Sequence, residues 1–180
     1  VLKALHDDGI PLASVRGHLE LWSIPRSSQA FANINECFSP KRLHSSFEAG
    51  RMKCTASEAL TFYAFMAIYL QMIVVPAKRC LKACAAYLAL ADLIDLIMAT
   101  VHGAVTPAML RTSVEDFMEC CLKAGWSEWL HPKFHWLVHI PRHLALFKML
   151  VVCWVHERKH KLVKRYSTNI QNTRQFDKLD

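Results

Sequence analysis

The feature that most constrains the fold of this chain is a series of helix start and stop signals between residues 55 and 125. Thr55 and Glu58 match a capping box, in which each side chain accepts a hydrogen bond from a backbone N–H at the start of a helix. The further signals are Pro76 and Gly103 as stops, Thr106 followed by Pro107 as a start, and Gly125 as a stop. Together they predict a bundle of three long helices over residues 55–75, 77–102 and 106–125.

The first 54 residues give weaker signals. Pro11 predicts a short helix that runs towards Trp22, and residues 27–37 are a second helix candidate. Residues 38–54 contain proline, serine, glycine and several basic residues, which is typical of a connecting loop. We therefore expect residues 1–54 to form an irregular N-terminal part.

Residues 126–180 differ in composition from the bundle, because they hold four of the five tryptophans and most of the histidines. The pattern predicts short helices over 132–140 and 142–150 and then a long basic helix over 152–170, although residues 150–155 are β-branched enough for a short buried strand. No other run alternates as a strand does. The fold class expected for residues 1–180 is therefore a single, mainly α domain with little or no sheet.

Composition excludes disorder, since 53% of the residues are hydrophobic and only 21% are charged. The stretch Ala59–Ala77 is uncharged and close to the length of a membrane span. Gln71 and Pro76 interrupt it, and the following segment is also apolar, so a buried core helix explains the stretch as well. We expect no membrane partner.

Seven cysteines occur without a CxxC pair, and most lie among apolar residues at helical spacing. An odd number of this kind is typical of reduced, buried thiols in an intracellular protein. A role in DNA binding would place the protein in the nucleus.

The net charge of +7 is unevenly distributed along the chain. Residues 1–130 hold twelve basic and twelve acidic side chains, so their charges balance, whereas residues 131–180 hold ten basic side chains and three acidic ones. The surplus therefore lies in the last 50 residues. Such a segment indicates an acidic partner such as nucleic acid, although a solvated basic helix has the same composition.

His156, Glu157 and His160 have the HExxH spacing of zinc proteases, in which two imidazoles bind zinc and the glutamate is the general base. A third protein ligand is not evident in the sequence, and Arg158 and Lys159 would place two cations beside the metal. A zinc-dependent hydrolase is therefore the third hypothesis for function.

Histidines also recur every four residues at 131, 135, 139 and 143. Because Pro141 is expected to break the helix between the last two, only His135 and His139 are predicted to share a helix face. Together with Cys153, His156 and His160, the four histidines of this repeat could form a structural zinc site, but histidines in an aromatic-rich segment more often pack or hydrogen-bond within the fold.

The predicted C-terminal helix carries several basic residues on one ridge. Arg158, Lys161 and Arg165 stand at positions i, i+3 and i+7, and Lys164 lies beside them. That spacing allows several cations to neutralise successive phosphates of a nucleic acid.

Two segments, HPKFHWLVHIPRHL and HERKHKLVKRYSTNIQNTRQF, resemble the C-terminal part of CACTA-type cut-and-paste transposases and of transposase-derived proteins from protist genomes. The likeness extends to KCTASEALTFYAFM, so it covers residues 53–176. Such transposases have an RNase H-like catalytic domain in which two aspartates and a glutamate hold two divalent metal ions. A helical insertion commonly separates the second aspartate from the glutamate.

The resemblance implies that residues 55–125 correspond to the insertion and that Glu157 stands at the position of the catalytic glutamate, as a ligand of Mg²⁺. The five bases from Arg158 to Arg165 would then contact DNA phosphates. The two partner aspartates and the upstream strands are missing from the chain, so we expect a transposase-derived fragment that binds DNA but does not cleave it alone. The alternative is a non-enzymatic helical module that binds a partner protein.

Overall fold

The computed structural model describes residues 1–22, 36–49, 52–130 and 134–150. This part of the chain is mainly helical and contains no strand, which confirms the predicted mainly-α class. Its seven α-helices are α1 (Leu2–Asp7), α2 (Leu12–Glu20), α3 (Pro40–Glu48), α4 (Ala56–Tyr69), α5 (Leu81–Ala99), α6 (Pro107–Lys123) and α7 (His135–Phe147). The predicted helices over 27–37 and 152–170 and the strand over 150–155 lie wholly or mostly outside the described residues.

The N-terminal helices α1 and α2 pack with α4 around one hydrophobic cluster. Its fully buried side chains include Leu5, Val15, Met66, Leu70 and Cys84. Phe38, which precedes α3, joins the same cluster and contacts Phe62 edge-on, with the ring centroids 5.8 Å apart. The first 20 residues and α3 therefore cover one side of α4.

The connecting loop predicted over residues 38–54 is wrong for residues 40–48, which form α3. The local cause is Ser39 followed by Pro40, because a proline at the first helical position loses no hydrogen bond and has the helical φ already set. The backbone carbonyl of Ser39 accepts from the N–H of Leu43 at 2.9 Å, which is the first turn of this helix.

The capping box at Thr55 and Glu58 is confirmed, since both reciprocal hydrogen bonds are present at the start of α4. After Tyr69 the helix widens into a π-helical turn, Leu70–Val74. The next helix begins at Leu81 and not at residue 77, because Lys78 and Cys80 have left-handed backbones with φ of 55° and 34°. Those two residues form the reversal between α4 and α5.

Helix α5 joins two hydrophobic clusters, since Cys84 belongs to the first and Ala86 and Leu93 to the second. The second cluster is built mainly by α6, which packs along α5 on one side and against α7 on the other. The N-cap of α6 is as predicted: the Thr106 side chain accepts from the N–H of Met109, and Pro107 follows it. Helix α6 is therefore the centre of the C-terminal half of the described structure.

The break predicted at Pro141 is wrong, because α7 continues through this proline from His135 to Phe147. Pro141 lacks an N–H and leaves the carbonyl of Leu137 without its helical donor, which costs about 3 kcal/mol in an isolated helix. Here Pro141 is buried and lines a groove beside Val114 and Met118 of α6. Packing against α6 offsets the lost hydrogen bond.

Within the described residues, Leu81–His102 is the one helix long and apolar enough to cross a membrane by length and composition. An 18-residue stretch of it has a mean hydropathy of 1.8, and 28% of that stretch is buried inside the structure. The stretch noted in the sequence forms a shorter apolar helix, Glu58–Val74. One such helix is weak support for a membrane span, because core helices of soluble proteins have the same length and composition.

Tyr63 on α4 and Asp95 on α5 are joined by a hydrogen bond of 2.6 Å from the phenol to the carboxylate. This bond, together with partial burial, raises the pKa of Tyr63 to about 12. We expect Asp95→Asn to lower the Tyr63 pKa towards its ordinary value of 10, because the phenolate then meets no negative charge. The titration of phenolate absorbance, compared with that of a Tyr63→Phe variant, measures this change, and an unaltered titration would contradict the assigned contact.

Candidate functional site

Helix α7 brings two histidines of the sequence pattern into contact. The Nε2 atoms of His135 and His139 lie 2.8 Å apart, and the two rings are nearly perpendicular with centroids 4.5 Å apart. His135 is exposed and His139 is half-buried. The prediction that these two residues share a helix face is confirmed.

The surroundings of the pair are aromatic and basic. Trp136, which is 67% exposed, contacts His139 edge-on with the ring centroids 6.5 Å apart. His143 lies one turn further along α7, but its ring contacts Phe147, at a centroid distance of 6.0 Å. The close contact in this helix is thus between the first two histidines.

A groove of about 500 Å³ lies between α6 and α7, beside this pair. Its floor contains the buried Val114 and Pro141. Its rim carries two cations, one carboxylate and one imidazole, from Arg111, Arg142, Glu115 and His139. An exposed rim of mixed charge over an apolar floor can accept a side chain or short segment of a partner, but no pair of carboxylates is poised there for acid–base catalysis.

A second groove, of about 520 Å³, lies between α5 and α6. Asp92 and Asp116 contribute carboxylates to it, and Thr112 and Ser113 contribute hydroxyl groups. Both aspartates are exposed. Hydrated carboxylates of this kind do not by themselves define a site.

Burial disfavours nucleophilic catalysis by several thiols of the described residues. Burial raises the pKa of Cys37 to about 11 and that of Cys84 to about 12. A catalytic cysteine needs the opposite shift, because the thiolate is the nucleophile. Cys84 lies 3.8 Å from the sulfur of Cys80, and all six cysteines in the described part are free thiols.

Most residues predicted to carry function lie outside the described residues. These are His156, Glu157, Arg158, Lys159, His160, Lys161, Lys164 and Arg165. Consequently, neither the HExxH zinc site nor the Mg²⁺ ligand role of Glu157 has a described geometry. Among the described residues, no group of three or more His, Cys, Asp or Glu side chains could hold a metal ion.

The groove between α6 and α7 was not predicted from the sequence. Arg111 and Glu115 lie one helical turn apart on α6, and nothing local indicates that they face His139 and Arg142. The available signal was the buried face of α6, where Leu110, Val114, Phe117 and Cys121 recur at helical spacing. That periodicity shows that α6 packs against other elements, but not which ones.

No protein-family model, no curated protein and no solved structure matches this chain.

Proposed function

We propose that the chain is a nucleic-acid-binding protein, related to transposases, that holds DNA through the basic segment that follows α7. The observation that carries the proposal is the charge distribution along the sequence. Residues 1–130 are neutral overall, whereas residues 131–180 hold ten basic and three acidic side chains. A neutral helical body with one strongly basic segment is suited to a polyanionic partner.

The end of the described structure supports this division. Helix α7 and the three residues after it contain no acidic residue, whereas Arg142 and Lys148 are exposed. Arg158, Lys159, Lys161, Lys164 and Arg165 then follow within a short stretch of sequence. Cations of this density displace counterions from DNA, and that release makes binding favourable at low salt.

DNA cleavage is not part of the proposal. A two-metal nuclease needs several carboxylates that converge within a few ångströms, and the described residues present no such group. Glu157 keeps the role that the resemblance implies, as a remnant of an ancestral Mg²⁺ site. The helical body corresponds to the insertion of such transposases and serves as a scaffold.

The test is the affinity of the full chain for a random DNA duplex, measured by fluorescence anisotropy at about 50 mM and about 200 mM salt. With five phosphate contacts, one for each base from Arg158 to Arg165, the rise in salt between these conditions should weaken binding by roughly 500-fold. We expect a steep fall in the wild type and no measurable binding in the charge-reversal variant Lys161→Glu/Arg165→Glu.

The matched control is Lys3→Glu/Lys82→Glu, which changes the net charge equally but alters two exposed lysines of the helical body. We expect it to retain most of the affinity, because long-range charge contributes less than direct phosphate contact. Equal losses in the two variants, or wild-type binding that does not depend on salt, would overturn the assignment to residues 158–165.

The second candidate function is binding of a partner protein, and the exposed apolar surface of α7 favours it. Trp136, Val138, Leu146 and Phe147 are all exposed, and exposed aromatic residues together with arginine are typical of interface hot spots. This function predicts that Trp136→Ala weakens complex formation while DNA binding is absent or insensitive to salt. The DNA titration therefore separates the two candidates.

A further inference from the structure

We propose that His135 and His139 form a two-imidazole site for a divalent late transition metal such as Ni²⁺ or Cu²⁺. The site is independent of the DNA-binding proposal, because it uses only residues on α7. It also differs from the zinc sites suggested by the sequence, since it needs neither His156 nor His160.

The two Nε2 atoms are close enough to bind one ion together. They lie 2.8 Å apart, joined by a hydrogen bond, and the ring centroids are 4.5 Å apart. Metal–imidazole bonds are about 2.0–2.1 Å long, so two imidazole nitrogens on one ion lie about 2.9–3.4 Å apart, which a small movement of these rings can reach. Imidazole ligands with no imposed geometry follow the intrinsic order of metal affinities, which favours Ni²⁺ and Cu²⁺ over Zn²⁺.

The positions of the two side chains on the helix allow them to bind together. Residues i and i+4 lie on the same face, so the backbone of α7 already holds both rings in place before the metal binds. At present the two nitrogens can only share a proton, with one ring as donor and the other as acceptor. A small rotation of these accessible rings turns both lone pairs towards one ion, which replaces the shared proton.

Among the described residues, no third His, Cys, Asp or Glu side chain lies with this pair to take the remaining coordination positions. Water can occupy them, and so can a donor group from another molecule. The adjacent groove presents Arg111 and Arg142 against Glu115, so its surplus of one positive charge opposes a dication and the two imidazoles must supply the binding energy. The expected affinity is therefore that of a two-ligand site.

Calorimetric titration of the full chain with Ni²⁺ tests the proposal, since Ni²⁺ does not oxidise the cysteine thiols as Cu²⁺ can. We expect one site that binds Ni²⁺ more tightly than Zn²⁺, and a release of protons on binding. Loss of a group that merely supports a metal ligand weakens binding by about 10–100-fold. His135→Gln and His139→Gln should each weaken Ni²⁺ binding at least as much, by about tenfold or more.

Two control variants locate the site. His143→Gln removes an exposed histidine of the same helix, and His156→Gln/His160→Gln removes the HExxH pair. Both should bind Ni²⁺ as the wild type does. Unchanged affinity in His135→Gln and His139→Gln, tighter binding of Zn²⁺ than Ni²⁺, or loss of binding in the HExxH variant would each overturn the assignment.

Discussion

Replacement of Phe117 by alanine is expected to lower the free energy of unfolding by about 3–5 kcal/mol. Phe117 is only 4% exposed and lies in the second hydrophobic cluster, between α5 and α7. Its ring contacts that of Phe134 just before α7, with the centroids 6.2 Å apart. The alanine variant loses the transfer free energy of the ring and leaves a cavity that three helices surround. Denaturant unfolding followed by circular dichroism measures the change.

The matched control for Phe117→Ala is Met109→Ala on the same helix. Met109 is 45% exposed, so its truncation removes much less buried surface than that of Phe117 and should change the unfolding free energy by about 1 kcal/mol or less. If Phe117→Ala cost no more than this control, α6 could not be the centre of the second cluster. The folded position of α7, and with it the His135–His139 pair, would then be in doubt.

Local capping chemistry explains which helices could be predicted. Thr55 with Glu58 starts α4, because the two residues satisfy each other's backbone donors. Thr106 with Pro107 starts α6, because the Thr106 side chain accepts from the N–H of Met109 and Pro107 has no N–H that needs a partner. Ser39 followed by Pro40 is a start signal of the same kind and was missed. The many turn-forming residues around it favoured a loop, and no apolar periodicity was strong enough to oppose that interpretation.

The continuous helix α7 could not be predicted from local sequence signals alone. A proline inside a helix predicts a break, and only the contact of Pro141 with α6 reverses that expectation. The contact depends on α6 lying beside α7, which involves residues far apart in sequence. The four-residue spacing of His135 and His139 was sufficient to predict their common face, whereas the groove beside them required the packed helices.

The expected result for Glu58→Ala is a loss of about 2–3 kcal/mol in the free energy of unfolding. The side chain of Glu58 is 8% exposed. Its carboxylate accepts from the N–H of Thr55 at 2.6 Å and binds the guanidinium of Arg42 through both oxygens at 3.2 Å. Breaking a fully buried ion pair costs about 3–5 kcal/mol, and the cost here is smaller because Arg42 keeps some contact with water. Thermal and denaturant unfolding at neutral pH measure it.

The control for this substitution is Glu20→Gln, which removes the carboxylate of an exposed ion pair with Arg16 on α2. An exposed pair contributes about 0–1 kcal/mol, so this variant should unfold almost as the wild type does. A similar loss in both variants would show that the capping box and Arg42 add nothing beyond surface charge.

Acid should weaken the contact of the Glu58 carboxylate with Thr55 and Arg42 in the wild-type protein. The N–H of Thr55 donates to Glu58 and lowers its pKa below the ordinary value of 4.5; burial opposes the shift, and Arg42 adds to it. Because the folded pKa lies below the unfolded one, the stabilisation is complete above about pH 4.5 and is lost as the pH falls through the folded pKa.

Glu58→Gln cannot titrate at this position, so the difference in stability between wild type and variant should shrink on acidification below pH 4.5. A difference that stayed constant over that range would show that the carboxylate has the same pKa in the folded and unfolded chain, and that the contact between Arg42 on α3 and Glu58 on α4 does not depend on its charge.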